Sequence, residues 1–231
     1  MQDQVAGELD FSLESVFSRL RSGLRQKAPD GVHDDGLDPD CGDHDLNPGM
    51  SPGFLANSKR RAAVLVPLIE RAGAVNVILT TRTEHLPTHA GQISFPGGKI
   101  DDADDSPLGA ALREAHEEIG LDPVMAQPAG YLDLYETSTG FRIVPTVAVI
   151  APDFIPVPEP GEVANVFEVP LAFLMNPANH QRGSREWQGK QRYFYAMPFG
   201  EHYIWGATAG IIRNLYNRTH KTLTDQERTL G

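Results

Sequence analysis

Three glutamates stand within five residues of one another, at positions 114, 117 and 118. In a helix they would share one face, because residues three and four apart are neighbours. Like charges at these spacings cost an isolated helix about 0.2–0.5 kcal/mol per pair, and the C-terminal half of a helix disfavours anions. A divalent cation among Glu114, Glu117 and Glu118 would explain the crowding, since magnesium prefers oxygen ligands. From spacing alone, a metal site and a solvated acidic face are equally good interpretations.

Helix signals frame this acidic segment. Ser106 is a suitable N-cap, Pro107 occupies the favoured first position, and Gly120 is a typical terminator. Apolar side chains recur at helical spacing on another face, which we expect to pack inward: Leu108, Leu112, Ala115 and Ile119. The sequence therefore predicts a helix over 106–119. Before it, Gly97-Gly98 lets the backbone approach a ligand or metal closely, because no side chain intervenes.

A strand, a double-glycine loop and a helix carrying REAHEE together resemble the signature of the Nudix hydrolases. In that signature a glycine and a spaced acid precede the pattern REUXEEXGU, and residues 113–121 (REAHEEIGL) match this second half at every fixed position. The first half departs from the general form, since the acid after Gly98 is Asp104 rather than Glu. Eight residues, not the common seven, separate Asp104 from Arg113.

Residues upstream of the helix resemble the additional motif of coenzyme A pyrophosphatases, LLTxR(S/T), three residues, Arg, three residues, Gly, three residues, FPGG. The positions in register are Leu79, Thr80, Arg82, Thr83, Gly91 and Phe95 to Gly98. Pro87 stands where the subgroup has its second arginine, which could remove a phosphate contact. The Asp104 spacing is similar to that of the same subgroup.

The resemblance implies a fold and a reaction. The fold is α/β, a Nudix-type α/β/α sandwich with a mixed β-sheet, which we assign to residues 56–231. The reaction is hydrolysis of the diphosphate of coenzyme A or acyl-CoA, with Mg²⁺ or Mn²⁺, to adenosine 3′,5′-bisphosphate and 4′-phosphopantetheine or its acyl form. One alternative keeps the chemistry but acts on NADH, ADP-ribose, a nucleotide sugar or a dinucleoside polyphosphate. Another is a catalytically idle Nudix domain that binds a nucleotide or a partner.

The same resemblance gives each matching residue an expected role. The catalytic group is Glu114, Arg113 and Glu118, with Arg113 orienting Glu114. The metal ligands are Glu114, Glu117, Glu118, the carbonyl of Gly98 and a downstream acid, for which Glu162 is the candidate and Glu159 the alternative. Arg82, Lys99 and Gly97 are expected to bind the substrate, since two cations and a close backbone flank the phosphates. Trp205 and Tyr203 are interpreted as core residues at a strand end.

Apolar runs predict the elements that must position these groups. Residues 62–69 and 75–82 form a hairpin, 91–95 a short strand, and 130–139 with 142–151 a second strand pair. Residues 163–176 predict a strand followed by a short helix, and 192–206 two further strands. Residues 208–219 predict a final helix.

The net charge of −11 is unevenly distributed, with −7 in residues 1–50 and −7 in residues 101–122. A chain this acidic is a poor candidate for binding nucleic acid or anionic membranes. Residues 1–55 are expected to hold a helix near 10–26 and an acidic, mobile segment. A single cysteine, Cys41, and the absence of a signal peptide or of an apolar run of about 18 residues favour the cytoplasm. A homodimer is compatible with the family resemblance.

Overall fold

A computed structural model describes residues 11–29, 39–48, 60–85, 89–187 and 189–229, with side chains as far as residue 219. Residues 1–10, Pro87 and the expected domain boundary after residue 55 lie outside these ranges. The division into residues 1–55 and 56–231 therefore stays a prediction. In the described ranges, no helix is both long and apolar enough to cross a membrane.

The described ranges contain four α-helices and twelve β-strands. The helices are α1 (Leu13–Gly23), α2 (Pro107–Ile119), α3 (Leu171–Leu174) and α4 (Ala207–Thr229). The strands of the first half are β1 (Cys41–Gly42), β2 (Arg60–Arg71), β3 (Ala74–Arg82), β4 (Ile93–Ser94), β5 (Gly97–Lys99) and β6 (Ala126–Tyr131). Those of the second half are β7 (Tyr135–Glu136), β8 (Phe141–Ile150), β9 (Val163–Pro170), β10 (Gln181–Trp187), β11 (Lys190–Phe199) and β12 (His202–Trp205).

Strand β2 lies at the centre of a mixed sheet. Among the described strands the order is β1-β7-β8-β2-β3-β4, and β5, β6 and β9 pair with β2, β8 and β3. The predicted hairpin is confirmed as β2 and β3, which are antiparallel, whereas β2 and β8 run parallel. From Ala62 to Ile69 strand β2 is almost entirely apolar, as expected of a strand that is covered on both faces.

Alternate side chains of β2 pack into two separate cores, since successive residues of a strand point to opposite faces. Leu65 and Ile69 lie in the core formed with α2. Val66 and Leu68 lie in the core formed with α1 and α4. The expected α/β/α sandwich with a mixed sheet is thus confirmed.

Helix α2 has the predicted ends. Ser106 accepts a hydrogen bond from the amide of Gly109, Pro107 is in the first turn, and Gly120 is left-handed with φ 69°. The inward face differs from the prediction, because Ala110, Ala111 and Ala115 are fully buried while Leu108 and Leu112 are only half-buried. Small alanines let the helix approach the sheet closely, so the face is rotated and brings Glu118 into the interior.

A second sheet of three antiparallel strands, β10-β11-β12, lies beside the first. Strands β11 and β12 match the prediction for 192–206, whereas β10 was not predicted. Its sequence, QRGSREW, is mostly exposed and has no apolar alternation. Pairing with β11 along its whole length holds it in place.

The N-terminal segment is part of the same packing. Val16 and Leu20 of α1 are buried against the core that contains α4. Farther on, β1 joins the main sheet by pairing with β7. The side-chain amide of Asn47 accepts a hydrogen bond of 2.9 Å from the backbone amide of Tyr193 in β11 and donates one of 3.0 Å to its carbonyl. Residues 39–48 therefore bridge the two sheets.

Asp133 links the N-terminal segment to α4. Its carboxylate accepts hydrogen bonds from Arg25 (3.0 Å), Asn214 (2.9 Å) and the Nε of Arg218 (2.8 Å). Burial alone would raise the pKa of Asp133, but the hydrogen bonds from Arg218 and Asn214 outweigh it and lower the pKa to about 2. Because the folded pKa lies below the ordinary value of 3.8, ionised Asp133 stabilises the fold.

We expect this stabilisation to disappear in acid. It is fully present above about pH 4 and is lost as the pH falls toward about 2, so Asp133→Asn should cost about 2 kcal/mol at pH 7 and roughly half of that at pH 3. Urea unfolding of both proteins at the two pH values measures the difference. Asp153→Asn, at an exposed aspartate, is the control. A cost for Asp133→Asn that does not change with pH would contradict the assignment.

Candidate active site

Helix α2 carries Glu118 into the interior of the protein. The side chain is buried, and its Oε2 accepts a hydrogen bond of 3.1 Å from the amide of Gly97. The Nη1 of Arg82 lies 3.7 Å from the other carboxylate oxygen. Gly97 itself has no room for a side chain, since a Cβ would lie 2.4 Å from the carbonyl oxygen of Ala63. The glycine therefore lets the β5 backbone sit directly over Glu118.

Glu114 lies one turn earlier on the same helix and faces Gly98. A Cβ on Gly98 would lie 2.5–2.6 Å from the carboxylate atoms of Glu114, so this flexible side chain would have to move. The carboxylate thus fills the space that any other residue at position 98 would occupy. The fold thus places Gly98 directly against a carboxylate of the acidic helix.

Arg113 is held in a dense set of polar contacts. It pairs with both carboxylate oxygens of Asp104 at 3.0 Å and donates to the carbonyl of Lys99 at 3.1 Å. Its Nη1 also reaches Glu114 at 3.0 Å and Glu117 at 3.2 Å. The hydrogen bonds from Arg113 lower the pKa of Asp104, so this pair stays ionised. Asp104, the displaced acid of the signature, therefore fixes Arg113 beside Glu114.

Burial and crowding act on the two inner carboxylates. Burial raises the pKa of Glu118 to about 7, despite the hydrogen bond from Gly97, and the charges of Glu114 and Glu162 add to the effect. Burial likewise raises the pKa of Glu114, opposed by Arg113 and reinforced by Glu117 and Glu162. Burial and, to a lesser extent, the neighbouring carboxylates therefore both disfavour the ionised forms of Glu114 and Glu118.

The two candidates for the downstream acid differ in what their side chains do. Glu162 is close enough to Glu114 and Glu118 to raise the pKa of both, and its carbonyl accepts from the amide of Thr83 at 3.0 Å. The side chain of Glu159 instead accepts from the amide of Gly161 within its own loop. The geometry favours Glu162.

A cavity of about 370 Å³, a volume typical of small-molecule sites, is lined by Gly97 and Gly98, whose neighbours on α2 are Glu118 and Glu114. The carboxylates themselves are not part of its lining. All three residues predicted to bind the substrate, Arg82, Lys99 and Gly97, line it. The Nε of Arg82 is buried and has no hydrogen-bond partner among the described residues. A buried donor without a partner is costly, so Arg82 is suited to receive an anionic oxygen.

The carboxylates fit a hard cation by their chemistry, being oxygen donors in excess of positive charge. In the part of the chain that the structure describes, however, no three His, Cys, Asp or Glu side chains converge closely enough to hold a metal. Arg113 instead contacts both Glu114 and Glu117. Because the Glu117 side chain is 57 % exposed, it can change rotamer without disturbing the core.

Several residues of the cavity were not predicted. Trp205 was interpreted as a core residue and lies in the cavity wall. Its neighbour Tyr203 does not line the cavity and is half exposed, so its interpretation as a core residue was wrong. Asp43, in the segment expected to be mobile, also lines the cavity. The omitted residues that the structure brings to this wall are Thr137, Ser138, Thr139, Phe141 and Arg185. No local spacing marks them, because they come from different strands and turns and only the tertiary fold unites them.

The sequence matches one family model and is similar to known proteins. The sequence model of the NUDIX domain matches residues 59–188. A protein of Enterobacter sp. (strain 638) named as an uncharacterized Nudix hydrolase, NudL, is 38% identical over 170 residues, which is 74% of this chain and 87% of that protein. The protein of that name in Escherichia coli (strain K12) is 38% identical over 156 residues, 68% of this chain and 81% of that protein.

Solved structures give weaker similarities. The NUDIX domain of Shewanella oneidensis NrtR, in complex with ADP ribose, is 18% identical with a TM-score of 0.47, covering 74% of this chain and 96% of that one. A Nudix hydrolase from M. smegmatis, RenU, is 24% identical with a TM-score of 0.41, covering 49% of this chain and 71% of that one.

Proposed function

The chain belongs to the Nudix hydrolase family, and from this premise we propose that it hydrolyses the diphosphate of coenzyme A or an acyl-CoA. The products are adenosine 3′,5′-bisphosphate and 4′-phosphopantetheine or its acyl form. One observation carries the proposal: the residues that match the coenzyme A motif, among them Arg82, Phe95, Gly97 and Gly98, line one continuous cavity. No residue of α2 lines the cavity, but two of its lining residues, Gly97 and Gly98, lie against the carboxylates of Glu118 and Glu114.

We assign the cation site to Glu114, Glu117, Glu118, the carbonyl of Gly98 and Glu162. The donor set is entirely oxygen, which suits Mg²⁺ or Mn²⁺. When bound, the cation would neutralise diphosphate oxygens and lower the pKa of a water molecule. Glu117 leaves Arg113 to join the set, and Arg113 keeps its bidentate partner Asp104.

The remaining steps belong to the residues of this chain. Arg82 and Lys99 place positive charge on the cavity wall and bind the non-bridging oxygens of the diphosphate. Water attacks one phosphorus, a new P–O bond forms, and the bridging P–O bond breaks to release the second phosphate. The proton of the water passes to a carboxylate oxygen of Glu114. Arg113 is a positioning residue, because Asp104 anchors its guanidinium and its Nη1 binds the carboxylate of Glu114.

The location and assembly are parts of the same proposal. A single cysteine and a small-molecule substrate suit the cytoplasm. A homodimer would be compatible with the activity, because the residues assigned above all come from one chain.

The test is product analysis by mass spectrometry after incubation of the protein with coenzyme A and Mg²⁺ or Mn²⁺. We expect 4′-phosphopantetheine and adenosine 3′,5′-bisphosphate in equal amounts, and neither product when a chelator is added. Cleavage of other nucleoside diphosphate derivatives without cleavage of coenzyme A would overturn the substrate assignment. Failure to cleave any diphosphate with either metal would favour an idle, ligand-binding domain.

A further inference from the structure

The second sheet forms the wall of the cavity opposite the glycine strand, and it presents a stacked arginine there. Arg185 of β10 and Trp205 of β12 both line the cavity. The guanidinium carbon of Arg185 lies 4.9 Å from the centre of the Trp205 ring. Phe194 of β11 supports the same indole from its edge, with ring centroids 5.1 Å apart. A guanidinium stacked on an aromatic face is held in a defined plane.

The stacked guanidinium retains its hydrogen-bonding capacity. Within the described ranges, Arg185 makes no hydrogen bond and no ion pair with another side chain. The contact with the indole ring supplies no hydrogen-bond acceptor, so the N–H donors of Arg185 remain available, and a guanidinium can bind phosphate through two parallel hydrogen bonds. Arg185 is exposed at the cavity mouth, so a ligand can reach it.

Asp43 is the acidic residue among the described residues that line the cavity, and it forms no ion pair with Arg185 there. Its two carboxylate oxygens accept hydrogen bonds from the hydroxyl of Tyr135 at 2.9 Å and the amide of Ser138 at 2.7 Å. Asp43 thus organises the turn between β7 and β8. Arg185 is left as a cation on the wall formed by the second sheet.

We propose that Arg185, positioned over the Trp205 ring, binds a phosphate monoester of the substrate that is separate from the scissile diphosphate. The proposal rests on the proposed function, in which Arg82 and Lys99 of the main sheet serve the diphosphate. A third cation on a different sheet can serve a phosphate group outside the diphosphate. Coenzyme A carries such a monoester on its ribose, whereas ADP-ribose and NADH do not. Arg185 would therefore select among diphosphates that the carboxylate helix can cleave.

The test compares coenzyme A with 3′-dephospho-coenzyme A, which differ only in this phosphate. We expect Arg185→Gln to lower the ratio of their kcat/KM values about 5–10-fold, by reducing the value for coenzyme A, because one charge-assisted pair is lost at an exposed site. Arg185→Lys should restore part of the ratio, since it keeps the charge and loses the planar fork. An unchanged ratio in Arg185→Gln would overturn the proposal.

Arg192 supplies a matched control on the same hairpin. Its guanidinium stacks on Trp187 at 4.1 Å, and neither residue belongs to the cavity lining. Arg192→Gln removes the same charge and a ring contact that lie outside the cavity lining, so we expect the wild-type ratio. A ratio that falls as far in Arg192→Gln as in Arg185→Gln would show a general charge effect and would also overturn the proposal.

Nucleotide binding separates this proposal from the proposed function. The chain has two tryptophans, so in Trp187→Phe the fluorescence reports on Trp205 alone. In that protein adenosine 3′,5′-bisphosphate should bind about 5–10-fold more tightly than AMP, and Arg185→Gln should abolish the difference. If coenzyme A is not cleaved, the proposed function fails while this binding difference still tests the subsite. Equal Kd values for the two nucleotides overturn the subsite even if coenzyme A is cleaved.

Discussion

Replacing Glu118 with glutamine is expected to lower kcat/KM by about 10³-fold or more while the fold is preserved. The loss corresponds to about 4 kcal/mol of transition-state stabilisation, the scale expected when a carboxylate that holds a catalytic cation is removed. The amide oxygen of glutamine can still accept the hydrogen bond from Gly97, and the side chains have almost the same volume. Because Glu118 is buried, removing its charge should leave the thermal midpoint unchanged or higher.

Steady-state kinetics and thermal unfolding of the same preparations measure both effects. Glu201→Gln is the matched control, since Glu201 is an exposed glutamate in the turn between β11 and β12, and it should retain wild-type activity. Retention of more than a tenth of the activity in Glu118→Gln would remove this residue from the catalytic group. Loss of activity together with unfolding would instead indicate a structural role.

Gly98→Ala should lower kcat about 10²-fold without a comparable loss of stability. The added Cβ would lie 2.5 Å from the Glu114 carboxylate, so that carboxylate must move. Moving the end of a flexible side chain costs the fold little, but a displacement of about 1 Å in a catalytic group can cost 10²-fold in rate. We therefore expect a large fall in kcat and only a small change in the free energy of unfolding, which steady-state kinetics and a denaturation curve measure.

Gly109→Ala is the matched control for this substitution. Gly109 lies in α2, and a Cβ there would meet only the Ser106 hydroxyl at an ordinary 3.4 Å. Alanine in a helix is more favourable than glycine by up to about 1 kcal/mol, so this variant should be active and slightly more stable. Wild-type activity in Gly98→Ala would contradict the placement of Glu114 at the reacting centre.

Local signals predicted the elements that carry the chemistry. Ser106, Pro107 and Gly120 define the ends of α2 because capping depends on a few adjacent residues. The hairpin of β2 and β3 could also be predicted from the sequence, because strands buried on both faces consist of continuous apolar runs. The spacing of Glu114, Glu117 and Glu118 left a metal site and a solvated face equally open. The burial of Glu118 shows that the face is not solvated throughout, and the metal site stays a proposal.

The rest of the site depends on contacts between distant residues. Strand β10 has a polar sequence and exists because β11 pairs with it, so no periodicity could indicate Arg185. Trp205 and Asp43 reach the cavity only because the second sheet and residues 39–48 fold over the main sheet. Composition alone predicted a mobile acidic segment, of which the structure describes residues 39–48, and Asn47 and Asp43 hold these residues in place through specific hydrogen bonds.

The central claim is that coenzyme A is the preferred diphosphate, and a competition assay tests it most directly. The protein, with Mg²⁺, is given coenzyme A, NADH and ADP-ribose at equal concentrations, and the substrates and products are followed by mass spectrometry. Relative rates of depletion then give the ratios of kcat/KM in one vessel. We predict that coenzyme A disappears first, with release of 4′-phosphopantetheine. Earlier depletion of NADH or ADP-ribose would contradict the claim.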